Sequence, residues 1–313
     1  MLDGVKLPVC QHRGRPFVYA PLTILKCGLV MVYYRLTSLR SLERFLREHP
    51  SVATACGLTA RVPSYRTFSR RFQTLEHPAL LAAQWLLRRV VKRRWVRLTI
   101  LATDASLLAA KGRAPRSGTG QADARTTDRD AAWGYSASDD SWVWGYKLHA
   151  LSTVRPCLTP VTWGVTTANV NEGRHLPVVL PRLPRLRKRR PWCLGDAEYD
   201  ARRNVRACRR HRLRLVTPLK GNRWPRSHMA PDRQRRLKIY WHWQRKHRFT
   251  RLRADIERLF GQLKEVFLLD LLPVKGLTMV QTYVSLVLLA YVAGIAYNGS
   301  VHRGLRAIKS LVA

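Results

Sequence analysis

Apolar positions along the chain change their spacing twice. Over the first ninety or so residues they fall into helical groups. Leu22 to Tyr34 is largely apolar, Ser41 opens a short segment carrying Leu42, Phe45 and Leu46, and Ser64 is placed to cap a further one through Phe68 and Phe72. Pro78 interrupts that pattern before it resumes over Leu80 to Val91. From Trp95 the runs become short and rich in β-branched and aromatic residues, the mark of strands. Val96 to Ala102 predicts a strand that ends just before Asp104, and Trp142 to Ser152 with Leu158 to Thr166 predict a hairpin. Further strands fall at Trp192 to Leu194 and Leu213 to Thr217. Helical stretches lie within Val170 to Leu183, over Ala201 to Arg210, and around Glu257. Lys111 to Asp140, full of Gly, Ser, Thr and charge, reads as one long loop. The order predicts an α/β protein: a mixed five-stranded sheet flanked by helices, with an all-helical module in front.

The expected division is residues 1–92 for the helical module, used for DNA binding or oligomerisation, 93–298 for the sheet domain, and 299–313 for a C-terminal tail. A short basic insert is expected at about 218–245, between the last strand and the Glu257 helix. Leu277 to Tyr297 is long and apolar enough to be confused with a membrane span. Gln281, Thr282 and Ser285 interrupt its start, so a buried helix packed on the sheet is the expectation, with no membrane partner.

Charge narrows the partners. In 313 residues, 57 Lys and Arg face 19 Asp and Glu, a formal net charge of +38, while 46% apolar content allows a sizeable core. Such an excess is self-repelling in a compact state and is matched by a dense polyanion whose counterions are released on binding. Nucleic acid is the expected partner, although charge does not separate DNA from RNA, or binding from catalysis. A ribosomal-type structural protein or an Arg-favouring codon bias gives the same balance. The six cysteines (Cys10, Cys27, Cys56, Cys157, Cys193 and Cys208) include no CxxC pair, which argues against a structural zinc site and for reduced thiols. No basic segment followed by an apolar one opens the sequence, so a cytoplasmic, nucleoid-associated location is expected.

With acids so scarce, those in structured contexts carry information. Asp104 and Asp196 each follow an apolar strand, and Glu257 lies in the helical stretch RADIERLFGQLK. Rigid elements fix such groups while loops admit substrate. Three carboxylates suit hard divalent ions, two of which, about 3.5 to 4 Å apart, can activate the attacking oxygen and stabilise the leaving oxygen of an in-line displacement. Asp104 is the natural bridge between two ions, with Asp196 on one and Glu257 on the other. Plainer roles stay open: Asp104 as a helix cap before ASLLAAK, Asp196 as a turn residue, Glu257 as a surface acid paired with Arg253 or Arg258.

Five stretches decide in favour of the chemistry. LATDAS around Asp104, WGYSASDDSWVWGYKLHALS at 133–152, TTANVNE at 166–172, LGDAEYD at 194–200 and RADIERLFGQLK at 253–264 together resemble bacterial insertion-sequence transposases with a DDE triad in an RNase H-like fold. The order of N-terminal helices and the apolar C-terminal helix extends the resemblance over most of the chain. Around the third acid the family pattern is Tyr, two residues, Arg, three residues, Glu, six residues, then Lys or Arg. Arg253, Glu257 and Lys264 fit it, whereas Thr250 stands where the Tyr belongs, beside Phe249. The resemblance implies an enzyme that binds two Mg²⁺, or Mn²⁺ in substitution, through Asp104, Asp196 and Glu257. It implies cleavage of double-stranded transposon-end DNA and transfer of the freed 3′-OH into target DNA, within a homodimeric synaptic complex. A metal-dependent nuclease without joining, or a catalytically silent nucleic-acid binder, are the competing classes.

Other residues are expected at the DNA. Arg253 and Lys264 share a helix face with Glu257 and suit phosphate positioning, or else simple salt bridging within the helix. Strand alternation puts Lys147 and His149 on one face and Tyr146 and Leu148 on the other. The resemblance implies that this strand passes beside the site, so Lys147 or His149 is expected to approach the DNA, Lys147 as the named contact and neither as a catalyst. His242 and His247 lack a third ligand at metal spacing. Trp224, Trp241 and Trp243 are candidates for stacking on bases, with burial as the alternative.

Overall fold

The computed structural model describes residues 2–7, 17–115, 126–136, 139–184, 190–219 and 230–312. Cys10, Trp224, most of the basic run 185–190 and residues 220–229 of the expected insert lie outside the described residues.

Five helices open the chain: α1 (Pro21–Tyr33), α2 (Leu39–Glu48), α3 (Pro50–Ala55), α4 (Tyr65–Phe72) and α5 (Glu76–Lys92). Ser64 caps α4 by accepting the Thr67 N–H at 3.3 Å. The cap of α2 is Ser38, not Ser41, and the two serines form a reciprocal capping box. Pro78 does not break a helix. It lies in the first turn of α5, where the missing N–H has no intrahelical acceptor to lose, so the helix starts at Glu76.

The sheet has six strands: β1 (Ile100–Ala109), β2 (Ala132–Ser136), β3 (Ser141–Thr153), β4 (Thr159–Thr167), β5 (Trp192–Leu194) and β6 (Arg214–Val216). Its order is β2-β3-β1-β5-β6, with β4 also paired to β3. The long β3 takes β2 beside its first half and β4 beside its second, and β1 antiparallel along its other edge. β5 and β6 then continue parallel to β1. Three antiparallel strands followed by two parallel ones is the mixed arrangement expected. The sixth strand, β2, was hidden in the stretch read as loop.

One boundary moves in a way that matters. Asp104 is not at the end of β1 but in its middle, because ASLLA pairs onward with β3 from Ala105↔His149 to Ala109↔Gly145. Strand pairing thus overrides the helix preference of an Ala/Leu-rich segment and removes the helix-cap reading of Asp104.

Helices α6 (Glu172–Val179), α7 (Arg202–Arg210), α8 (Pro231–His247), α9 (Phe249–Arg253), α10 (Asp255–Phe267) and α11 (Leu277–Ser300) complete the chain. The described part of the basic insert is largely α8. α11 is the apolar segment that could pass for a membrane span, yet 89% of its most apolar window is buried inside the protein. Its three polar interruptions are each satisfied: Gln281 donates to the Val165 carbonyl at 3.1 Å, Thr282 to the Phe72 carbonyl at 2.7 Å, and Ser285 accepts from the Trp163 indole at 2.8 Å. Tyr33 donates to the Ala290 carbonyl at 2.8 Å, tying α1 to the same helix. α11 therefore joins the N-terminal helices and the sheet in one continuous core. After it the chain folds back, and Ile308 is buried at 2% exposure.

Gly145 lies where β3 is paired on both edges, and a Cβ there would stand 2.0 Å from the Leu108 carbonyl oxygen. Gly145→Ala is expected to lower stability by about 1–3 kcal/mol, the range for a forced backbone shift in a packed interior. Urea unfolding of the two proteins checks it, and an unchanged midpoint would remove the steric account.

Candidate active site

Parallel pairing of β1 with β5 stops at Ala102↔Leu194. Asp104 is two residues beyond Ala102, and Asp196 is two residues beyond Leu194. Equal offsets in a parallel pair carry both side chains to the same face at the same level. Asp196 keeps extended backbone and caps a 3₁₀ turn over Ala197–Tyr199, accepting the Glu198 N–H at 2.9 Å. Asp104 is buried at 8% exposure; one carboxylate oxygen accepts the Ala105 N–H at 2.9 Å and the other accepts from Arg253 at 3.1 Å.

A third acid joins them that the strand pattern had not singled out. Glu172, the first residue of α6, offers a carboxylate oxygen that with those of Asp104 and Asp196 lies within 4.8 Å of the others. Gly173 makes this possible: a Cβ there would stand 2.2 Å from the Glu198 carbonyl oxygen, so only glycine lets α6 dock on the turn that holds Asp196. The sequence signal was the motif TTANVNE, which ends on Glu172.

The electrostatics follow from crowding like charges away from water. Burial pushes the Asp104 carboxyl up to about 7; Arg253 works against that, while Glu172 and Asp196 add to it. Glu172 is raised by burial, with Lys147 opposing and Asp196 contributing. Asp196 is raised by burial against the Glu198 N–H and Arg253. An all-oxygen, partly buried set with unbalanced negative charge fits a hard divalent cation. Among the described residues no other group of His, Cys, Asp and Glu converges in this way.

Glu257 takes a different place. It lies in the first turn of α10, its side chain 54% exposed, and accepts from Arg253 at 2.6 Å. The Arg253 guanidinium thus bridges Asp104 and Glu257, one nitrogen to each. Lys264, farther along α10, pairs with Asp270 at 3.1 Å. Thr250 bonds to the Gln244 side chain through both its hydroxyl (3.1 Å) and its N–H (3.3 Å), and its neighbour Phe249 is buried against Tyr240.

Lys147 is buried, with its ammonium 3.6 Å from Glu172. On the opposite face the Tyr146 hydroxyl donates to Asp128 at 2.8 Å. His242 and His247 face each other with ring centroids 5.9 Å apart. The two tryptophans of α8 part company. Trp241 is 43% exposed, whereas Trp243 is 3% exposed and packs edge-on against Trp192 at 5.1 Å. Trp243 therefore presents no face for a base, and the stacking expectation is corrected for that residue: it fills the contact between α8 and β5.

Comparison with known proteins gives the family. A family model described as a transposase DDE domain matches residues 95–293, and a second, described as a transposase domain, matches residues 4–74. The chain belongs to the DDE-domain transposase family and is a DNA transposase. No curated protein sequence gives a significant match. Among solved structures, a cryo-EM structure of the piggyBac transposase synaptic complex with hairpin DNA aligns over 96% of this chain and 72% of that chain, at 10% identity and a TM-score of 0.42.

Beside the acids, His149 bonds through Nε2 to the Thr166 hydroxyl at 2.9 Å and its ring lies 4.2 Å from that of His175. Burial, then the charges of His175 and Lys147, lower the His149 pKa to about 2. Burial, then Arg182, lowers that of His175 to about 4. Both folded values lie below the ordinary 6.5, so the unfolded chain takes up protons that the folded one declines. This stability is complete above pH 6.5 and is lost as pH falls, by about 1.4 kcal/mol per unit for each histidine. His149→Gln is expected to give a shallower loss of urea stability from pH 6.5 to 5 than the unaltered protein. Parallel pH profiles would contradict a neutral buried His149.

Proposed function

We propose that the protein cleaves double-stranded transposon ends and joins the freed 3′-OH to target DNA, using divalent ions held by Asp104, Asp196 and Glu257. The observation that supports this most is the convergence of Asp104 and Asp196 at one level of the sheet, with Glu257 one guanidinium away. Two Mg²⁺, or Mn²⁺ in substitution, would be the ions for such oxygen donors. Bound metal supplies Lewis acidity to the attacking and leaving oxygens.

The chain's own residues do the remainder. β1 and the turn after β5 hold Asp104 and Asp196 rigidly, and burial around Asp104 keeps bulk water from it. Arg253 already spans two of the acids, so it is placed to exchange one of them for a phosphate as DNA enters. Lys264 is a further cation for the backbone, Lys147 being buried against Glu172, and the exposed Trp241 offers a stacking face on the basic helix α8. Two transposon ends handled together call for a homodimer in the synaptic complex, acting in the cytoplasm at the nucleoid. Thr250 lacks the ring that the family pattern places there, so phosphate positioning beside Glu257 falls to Arg253.

Asp104→Asn, Asp196→Asn and Glu257→Gln are each expected to cut cleavage and strand transfer by at least about a thousandfold, or about 4 kcal/mol of barrier, while leaving DNA binding within a few fold. The assay supplies DNA from the ends flanking the reading frame together with an intact target duplex, and scores cleavage and joining separately. Cleavage without joining would reduce the protein to a nuclease, and unaltered activity in all three variants would end the metal reading. Arg253→Ala is expected to weaken end binding and to flatten its salt dependence by about one phosphate contact. An unchanged salt slope would take Arg253 away from the DNA.

A further inference from the structure

The family pattern assigns metal binding to Asp104, Asp196 and Glu257, but the structure groups the first two with Glu172. We propose that Glu172 is a metal-binding residue of this transposase, and that Asp104, Glu172 and Asp196 take the first divalent cation in the DNA-free protein while Glu257 remains engaged by Arg253. The proposal rests on the metal-dependent reading above and specifies which carboxylates carry it out before DNA arrives.

Four observations support it. Oxygens of the three acids lie within 4.8 Å of one another, close enough to share one ion, and belong to three different elements (β1, the start of α6 and the turn after β5). Existing cations balance them poorly. Arg253 divides its guanidinium between Asp104 and Glu257, Lys147 is 3.6 Å from Glu172, and Asp196 makes no ion pair among the described residues. The packing that brings Glu172 in is specific, since Gly173 and Asn171 both dock on Glu198: Gly173 at its carbonyl, Asn171 through a 3.2 Å hydrogen bond to its carboxylate.

The fourth observation is independent of the acids. The Tyr199 hydroxyl, on a side chain 1% exposed, is fully buried; the Thr103 hydroxyl is beside it, but no partner reaches full hydrogen-bond geometry. It lies within the electrostatic reach of Asp104, Glu172 and Asp196 together. A buried hydroxyl so weakly partnered is costly, and hydration of an ion bound at the three acids would supply a better partner. Glu257 has no comparable setting: it is exposed and fixed by a partner four residues earlier, at the end of α9.

Mn²⁺ binding to the DNA-free full chain, followed by electron paramagnetic resonance and by the rise in melting temperature, tests the assignment without reference to activity. Glu172→Gln and Asp196→Asn are each expected to weaken Mn²⁺ binding by about tenfold or more, and Glu257→Gln by less than about threefold. Equal affinity in Glu172→Gln and the unaltered protein, or a loss in Glu257→Gln as large as in Glu172→Gln, would overturn the proposal. Lys147→Met provides a check that keeps the Glu172 carboxylate. Removing its competing cation is expected to tighten Mn²⁺ binding, and weaker or unchanged binding counts against the assignment. Failure of the broader reading looks different: Asp104→Asn and Asp196→Asn would then retain both Mn²⁺ affinity and strand transfer.

Discussion

Pairing between β1 and β5 ends after Ala102 and Leu194, and everything at the site depends on that register. Had the two strands paired two residues farther, Asp104 and Asp196 would belong to a closed ladder. Had they been offset by one, the carboxylates would face opposite sides of the sheet. As built, β1 continues along β3 while its other edge opens beyond Ala102. The chain after Leu194 stays extended for two residues and then turns into Ala197–Tyr199. The gap so formed receives the first turn of α6 with Glu172 and the guanidinium of Arg253.

Charge imbalance gives this arrangement its sense. A chain carrying 57 basic and 19 acidic side chains has ample means to neutralise any carboxylate. Yet around Asp104, Glu172 and Asp196 it leaves the neutralisation incomplete, and burial raises all three acids above their ordinary pKa. Such local disagreement with the rest of the molecule is typical of sites whose missing partner arrives with function. The surrounding cations draw in DNA, and the acid pocket is what keeps that attraction from being merely adhesive.

Much of this was legible in the sequence, for identifiable reasons. The β3 and β4 hairpin, β5, β6 and the Glu257 helix stood out because their apolar runs have a clear period and are bounded by turn residues or charge. β1 was read too short because ASLLAA favours a helix when taken alone, and only pairing with β3 makes it a strand. β2 escaped because AWGYS is five residues set in Gly- and Ser-rich sequence. Glu172 escaped for a subtler reason: an acid in the first turn of a helix already has an ordinary explanation in the helix dipole. What makes it special, the contact of Gly173 with Glu198, is tertiary. Trp241 and Trp243 show the same limit, since a helix basic all round gives no clue to which of two nearby rings points inward.

The buried helix α11 also sets an order of events. Its side chains are core for the N-terminal helices and for the sheet alike, with Ala290 bound to Tyr33 and Ser285 to Trp163. A ribosome delivers the early helices and all six strands before the element they share. Until residues near 300 emerge, the nascent chain carries apolar surface with nothing to cover it and a large unneutralised positive charge, the condition in which association with other chains or with nearby nucleic acid competes with folding. The shared core therefore closes only once α11 is available to both of its neighbours.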